Sequence, residues 1–198
     1  MSSTASSETV QQRKRHLSIV PADNAVRIEA VRQLFQEYAA SLSFNLCFQG
    51  FEEELARLPG EYAPWSGMLL LGLVEDQLAG CVALRRIEGE AAGSQGELFG
   101  GSDICEMKRL YVRAEYRGCG LGRVLVEAVL NCGAAIGYRL MRLDTVPSEM
   151  GAAVDMYRKF GFVEIPPYRK NPIAGAKYME LDLRAWAATH LGAKQNQG

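Results

Sequence analysis

The spacing of apolar residues switches between two rhythms along this chain, and the switches mark its elements. Residues 17–20, Leu-Ser-Ile-Val, read as a short strand stopped by Pro21. Asp23 or Asn24 can then cap a helix carrying Val26, Ala30, Val31, Leu34, Phe35, Tyr38 and Leu42 at helical spacing. A shorter helix is predicted over residues 51–58, ended by Pro59 and Gly60. Residues 68–74 and 78–87 are rich in Leu and Val and flank the polar Glu75-Asp76-Gln77, the pattern of a β-hairpin.

Residues 88–102 are glycine-rich with little apolar pattern and read as a surface loop. A strand is predicted at 104–112, then a helix at 121–136 with Leu121, Val124, Leu125, Ala128, Val129, Cys132 and Ile136 on one side and Gly137 at its end. Residues 139–144 read as a strand that leads through Pro147-Ser148 into a helix. That helix turns Ala153, Val154, Tyr157 and Phe160 inward and is closed by Gly161. Two strands follow, at 162–165 and 177–183. The order of strands and helices predicts an α/β fold, a mixed sheet covered by helices on both faces.

With 198 residues, 48% of them hydrophobic, the chain is long enough for one core, expected over residues 16–190 between a polar tail at 1–15 and another at 191–198. Lys and Arg number 22 against 23 Asp and Glu, so no overall field draws the chain to phosphate backbones or anionic lipid. Neither nucleic acid nor membrane is expected as a partner. The five cysteines are widely spaced and form no CxxC pair or Cys/His cluster, which predicts reduced thiols and no metal site. The N-terminal stretch lacks the apolar core of a secretory signal, and no apolar run reaches membrane-spanning length, so a cytoplasmic location is expected.

The segment with most chemistry is Arg117-Gly118-Cys119-Gly120-Leu121-Gly122-Arg123, between a predicted strand and a strongly amphipathic helix. Glycines let backbone amides approach an anion, a helix N-terminus offers unpaired donors at its positive end, and Arg117 and Arg123 add charge. A glycine turn before a helix can also serve chain reversal alone. No Gly-Lys-Ser/Thr follows, and the segment lies outside any first βα unit, so nucleoside triphosphate and dinucleotide binding are disfavoured.

Arg117-x-x-Gly120-x-Gly122, preceded by Glu106-Met107-Lys108-Arg109-Leu110-Tyr111-Val112, resembles the acyl-CoA signature of the GNAT superfamily of N-acetyltransferases. The helix with Tyr157 that ends in Gly161-Phe162 is similar to that family's second hallmark. Phe48-Gln49-x-Phe51-Glu52-x-Glu54-Leu55, Leu143-Asp144-Thr145 and Pro167-Tyr168-x-x-Asn171-Pro172 further resemble a subgroup whose acceptors are mostly unassigned. The resemblance implies a mostly antiparallel sheet, acetyl-CoA as acyl donor, and a primary amine as acceptor, with no metal. It implies that Leu110, Tyr111 and Val112 hold the pantetheine arm, and that Arg117, Gly118, Cys119, Gly120, Leu121, Gly122 and Arg123 hold the diphosphate. Glu106 falls where some members carry the general base, and Tyr157 where the family carries the tyrosine that protonates the departing thiolate. Met150 stands where many relatives have a CoA-contacting asparagine.

Each role has a bland alternative. Glu106 can be half of a surface ion pair with Lys108, Tyr157 a core aromatic, and Cys119 a small side chain only. Arg109, Arg142, Arg169 and Lys170 lie near segments that can line an acceptor pocket, a pointer to a carboxylate-bearing small molecule or amino acid. A CoA-binding module without turnover, a protein N-acetyltransferase, and a homodimer stay compatible with the chain.

Overall fold

A computed structural model of the chain describes residues 15–47, 50–87 and 103–190. The tail up to residue 14, Phe48 and Gln49, the glycine-rich stretch 88–102 and the end from 191 lie outside the described residues, as do the side chains of Glu149, Met150 and Ala152.

The elements in chain order are β1 (Leu17–Pro21), α1 (Ala25–Ala40), α2 (Phe51–Arg57), β2 (Met68–Val74), β3 (Gln77–Arg86), β4 (Ile104–Val112), α3 (Leu121–Ile136), β5 (Leu140–Thr145), α4 (Pro147–Phe160), β6 (Val163–Ile165), β7 (Lys177–Asp182) and α5 (Leu183–His190). The strands form one seven-stranded sheet ordered β1-β2-β3-β4-β5-β7-β6. Every neighbouring pair is antiparallel except β4 with β5. This is the mixed α/β sheet that the order of elements predicts, mostly antiparallel as the family resemblance implies.

Period-two patterning divides β2 and β3 between two cores. Leu70, Val82 and Leu84 join a cluster with Leu121, Leu125 and Val129 of α3, Val154 and Tyr157 of α4, and Leu183 and Trp186 of α5. Leu69, Leu71, Cys81 and Ala83 instead meet Val31, Leu34 and Phe35 of α1 and Phe51 and Leu55 of α2. Helices therefore cover both faces. Asn24 caps α1, its side-chain oxygen accepting from the Arg27 amide at 3.0 Å. Val26, expected on the inner face, is 80% exposed, because the buried stripe begins only at the second turn.

The last helix is a departure from expectation. Residues up to 183 read as strand, but the chain leaves β7 at Asp182, whose carboxylate accepts from the Ala185 amide at 2.9 Å and starts α5. Leu183 and Trp186, one turn apart, then bury against α3. All five cysteines are unpaired.

Two irregularities place the site. β4 pairs with β5 only from Ile104 opposite Leu140 to Glu106 opposite Arg142, and beyond that the two parallel strands carry no further pairing. β4 also bulges: Cys81 faces Tyr111 while Ala83 faces Lys108, so Arg109 and Leu110 together oppose Val82 alone. Arg109 sits at the bulge with φ +56°, in the left-handed region.

Candidate active site

A cleft of about 570 Å³ runs along the end of β4 and the head of α3, and Leu110, Tyr111, Val112, Arg117 and Arg123 are among its walls. Gly118, Gly120, Leu121 and Gly122 complete this side, so every residue of the strand end and glycine loop singled out in the sequence lines the cleft except Cys119. The Cys119 thiol instead donates to the Tyr116 carbonyl at 2.9 Å.

The loop is built by glycine at two positions. Gly118 and Gly120 have φ of +80° and +94°, where a side chain would strain the backbone, and a Cβ on either would meet nothing within 4 Å. Their hydrogen faces are therefore open rather than packed. Gly120 is the N-cap of α3 and brings no side-chain cap, which leaves the first-turn amides of that helix to donate to an outside acceptor. Arg117 is anchored beside them, its Nε donating to the Val112 carbonyl at 3.1 Å.

A second space, a cavity of about 50 Å³, lies where β4 and β5 part. Met107 to Leu110 of β4, Leu143 to Thr145 of β5, and Tyr157 of α4 line it, together with Tyr38 and Asn171. Tyr38 and Leu110 belong to the walls of both spaces, so cleft and cavity adjoin there. Tyr157 is 5% exposed, its ring centroid 5.7 Å from that of Phe162, and burial pushes its hydroxyl well above the ordinary tyrosine range. It is both a core aromatic and a cavity wall.

Glu106 is not on the surface. It is 1% exposed, and the expected alternative of a surface ion pair with Lys108 is corrected by the burial of both residues. Arg85 Nε donates to its carboxylate at 2.9 Å, Arg169 lies at 3.0 Å, and the Tyr168 hydroxyl donates at 2.7 Å. Burial alone would raise the carboxyl's pKa, but the Lys108, Arg169 and Arg85 cations and the Tyr168 hydrogen bond outweigh it and hold the group at about 2. Glu106 lines a different hollow, with Arg85, Tyr168 and Arg169, while Lys108 lines the Tyr157 cavity. Burial lowers the Lys108 ammonium to about 7, with Glu106 opposing that shift and Arg109, Arg169 and Arg85 adding to it.

Three of the four basic residues that pointed to a carboxylate-bearing acceptor are held in ion pairs. Arg109 pairs with Glu54, Arg142 with Glu180 at 2.8 Å, and Arg169 with both Glu106 and Asp144, while Lys170 is exposed. Asp144 is further held by Asn171, whose side-chain nitrogen donates at 2.9 Å. Asp144, Thr145 and Asn171 stand in the subgroup motifs, yet spacing alone assigns them no role; the third dimension brings them to the cavity. Tyr38 reads from sequence as one more apolar helix position. Among the described residues no group of three or more His, Cys, Asp or Glu side chains gathers as metal ligands, and no helix is long and apolar enough to cross a membrane.

The sheet thus opens between two parallel strands, and a glycine loop leads into a helix beside the opening. The model of the acetyltransferase (GNAT) family matches residues 29–162, and the chain belongs to that family. An uncharacterized N-acetyltransferase of Schizosaccharomyces pombe is 38% identical over 157 residues, covering 79% of this chain and 88% of that one. Another, from Dictyostelium discoideum, is 30% identical over 80% of this chain and 95% of its own length. Among solved structures, a GNAT-family acetyltransferase of Staphylococcus aureus matches with TM-score 0.62 at 16% identity, over 85% of this chain and 99% of that one. The Salmonella typhimurium protein yncA, solved with its cofactor acetyl-CoA, matches with TM-score 0.61 at 17% identity, over 84% and 94%.

Proposed function

We propose that this enzyme moves an acetyl group from acetyl-CoA to a primary amine, by direct attack with both substrates bound, and that the acceptor is a small molecule or an amino acid. The observation that carries the reading is the meeting of cleft and cavity at Tyr38 and Leu110. The residues suit the donor. Open glycines, uncapped α3 amides and the Arg117 and Arg123 guanidiniums fit a diphosphate, and the strand end Leu110, Tyr111 and Val112 fits a pantetheine arm. Acetyl-CoA supplies the activated acyl thioester. A cavity of about 50 Å³ has room for little beyond an amino group and its neighbouring carbons, so the acceptor presents its amine end-on. The unpaired cysteines suit a cytoplasmic setting.

An alkylamine, with a pKa of about 10, arrives protonated and has no lone pair for attack. Lys108 and Glu106, two residues apart on β4, form the proton-handling pair of this reading. With its pKa near 7, Lys108 is partly neutral around neutral pH and can take the proton in the cavity. Glu106 stays charged and stabilises the ammonium so formed, which is a role for the expected base carboxylate that its low pKa allows. Tyr157, kept protonated by burial, holds a proton for the departing thiolate from the cavity wall. The Leu110 amide, taken out of register with β3 by the bulge, is the candidate donor to the developing oxyanion.

Thiol release from acetyl-CoA, followed across a panel of small primary amines and amino acids, tests this. Turnover with at least one amine supports it. Binding of CoA with no release across the panel would instead favour a CoA-binding module without turnover.

A further inference from the structure

Arg109 is an unusual residue to find at the centre of a catalytic strand. Of the four non-glycine residues with positive φ among those described, Trp65, Glu75 and Asp76 lie outside the strands, and only Arg109 lies within one. An L-residue holds this conformation only where its surroundings over-determine it. Those surroundings are supplied by α2. Arg109 Nε donates to Glu54 Oε1 at 3.0 Å and its Nη2 donates to Glu54 Oε2, a two-pronged grip. Tyr62 donates its hydroxyl to the same Oε1 at 2.6 Å, and the guanidinium lies 5.1 Å from the centre of the Phe51 ring. The Arg109 side chain is 3% exposed and that of Glu54 13%.

A buried ion pair is weak support for stability, because desolvating two charges offsets much of their attraction. What this pair does is geometric. It ties the side chain of the bulge residue to α2, while the next residue, Leu110, borders both the cleft and the cavity. If the grip loosened, Arg109 could relax to negative φ, the extra residue of β4 would shift, and Leu110 would turn away from the junction.

We propose that Glu54 is a positioning residue for acyl transfer: by gripping Arg109 it locks the β4 bulge and aims the Leu110 backbone at the junction of cleft and cavity. This rests on the acetyltransferase reading above, but its first readout does not. In Glu54→Gln, deuterium uptake by the β4 segment around Leu110 should quicken at least tenfold, while uptake by the core of α3 stays within twofold. The affinity for CoA, measured by calorimetry, should fall by less than threefold, because the diphosphate loop is untouched and only the pantetheine contact at Leu110 is loosened. With an amine substrate, kcat should fall at least tenfold with the KM for acetyl-CoA little changed.

Glycine adopts the left-handed conformation without strain. In an Arg109→Gly background, then, adding Glu54→Gln should leave kcat and deuterium uptake unchanged. Should Glu54→Gln not fold, Glu54→Asp keeps the charge but shortens the reach, and the same partial loosening is expected. Unchanged uptake at Leu110 in a folded Glu54 variant would overturn the proposal, as would equal losses of kcat and CoA affinity. If the wild-type chain turned over no amine, the acetyltransferase reading would fail while the exchange experiment still decided the role of Glu54 in the bulge.

Discussion

Arg169 holds Glu106 at 3.0 Å while its other terminal nitrogen reaches Asp144, so one guanidinium ties the buried carboxylate of β4 to the cavity wall of β5. The two strands have no pairing at Asp144, and Arg169 bridges the gap with a side chain from the segment before β7. The opening between β4 and β5 is therefore charge-braced as well as sterically defined.

Acid should break that brace. Glu106 is held at about 2 against an ordinary 4.5, so its contribution to stability is complete above pH 4.5 and is lost as the pH falls from there toward 2. The thermal midpoint should drop steeply over that window in the wild-type chain and less steeply in Glu106→Gln. At pH 7 the variant should lose about 3 kcal/mol, since it leaves Arg85 and Arg169 facing a neutral amide. Calorimetric melts at several pH values check both.

The activity profile should report Lys108. Glu106 and Arg109 on β4, Arg85 on β3 and Arg169 before β7 all act on its charge, and Asp144, Tyr38 and Tyr157 share its cavity. Neutral Lys108 prevails above about pH 7, so kcat/KM should rise through that point. Glu106 favours the charged lysine, so Glu106→Gln should move the rise to lower pH. Lys108→Arg, charged throughout, should abolish it. A profile flat between pH 6 and 8 for the wild-type chain would contradict the pairing.

Tyr157→Phe removes a hydroxyl and little volume from a cavity wall. Stability should change by less than about 1.5 kcal/mol. Steady-state kinetics should show kcat lower by about a hundredfold, within the range of a positioned acid, with CoA affinity retained. Equal kcat in the two proteins would leave Tyr157 a core aromatic.

Much of this architecture was legible in the chain because its signals are local. Gly137 and Gly161 end α3 and α4 where expected, and Leu-Val runs define the β2–β3 hairpin. The glycine loop also declares itself, since its chemistry resides in consecutive residues. α5 has no distinct local signal, because Asp182 ends a strand and caps a helix at once, and an apolar Leu183 extends either pattern. The environment of Glu106 was illegible for another reason: Arg85, Tyr168 and Arg169 come from segments 21 to 63 residues away. Likewise, a strand bulge at an arginine carries no local signature, because the force that holds it comes from Glu54.

Calorimetric titration of the intact chain with CoA tests the central claim most directly, that the glycine loop at the head of α3 is a diphosphate site. A saturable heat at one CoA per chain is predicted. Gly120→Ala should weaken it about tenfold, because a side chain at φ +94° costs roughly 1–2 kcal/mol of backbone strain while meeting no neighbour. No heat from the wild-type chain, or heat unchanged in Gly120→Ala, would contradict the account.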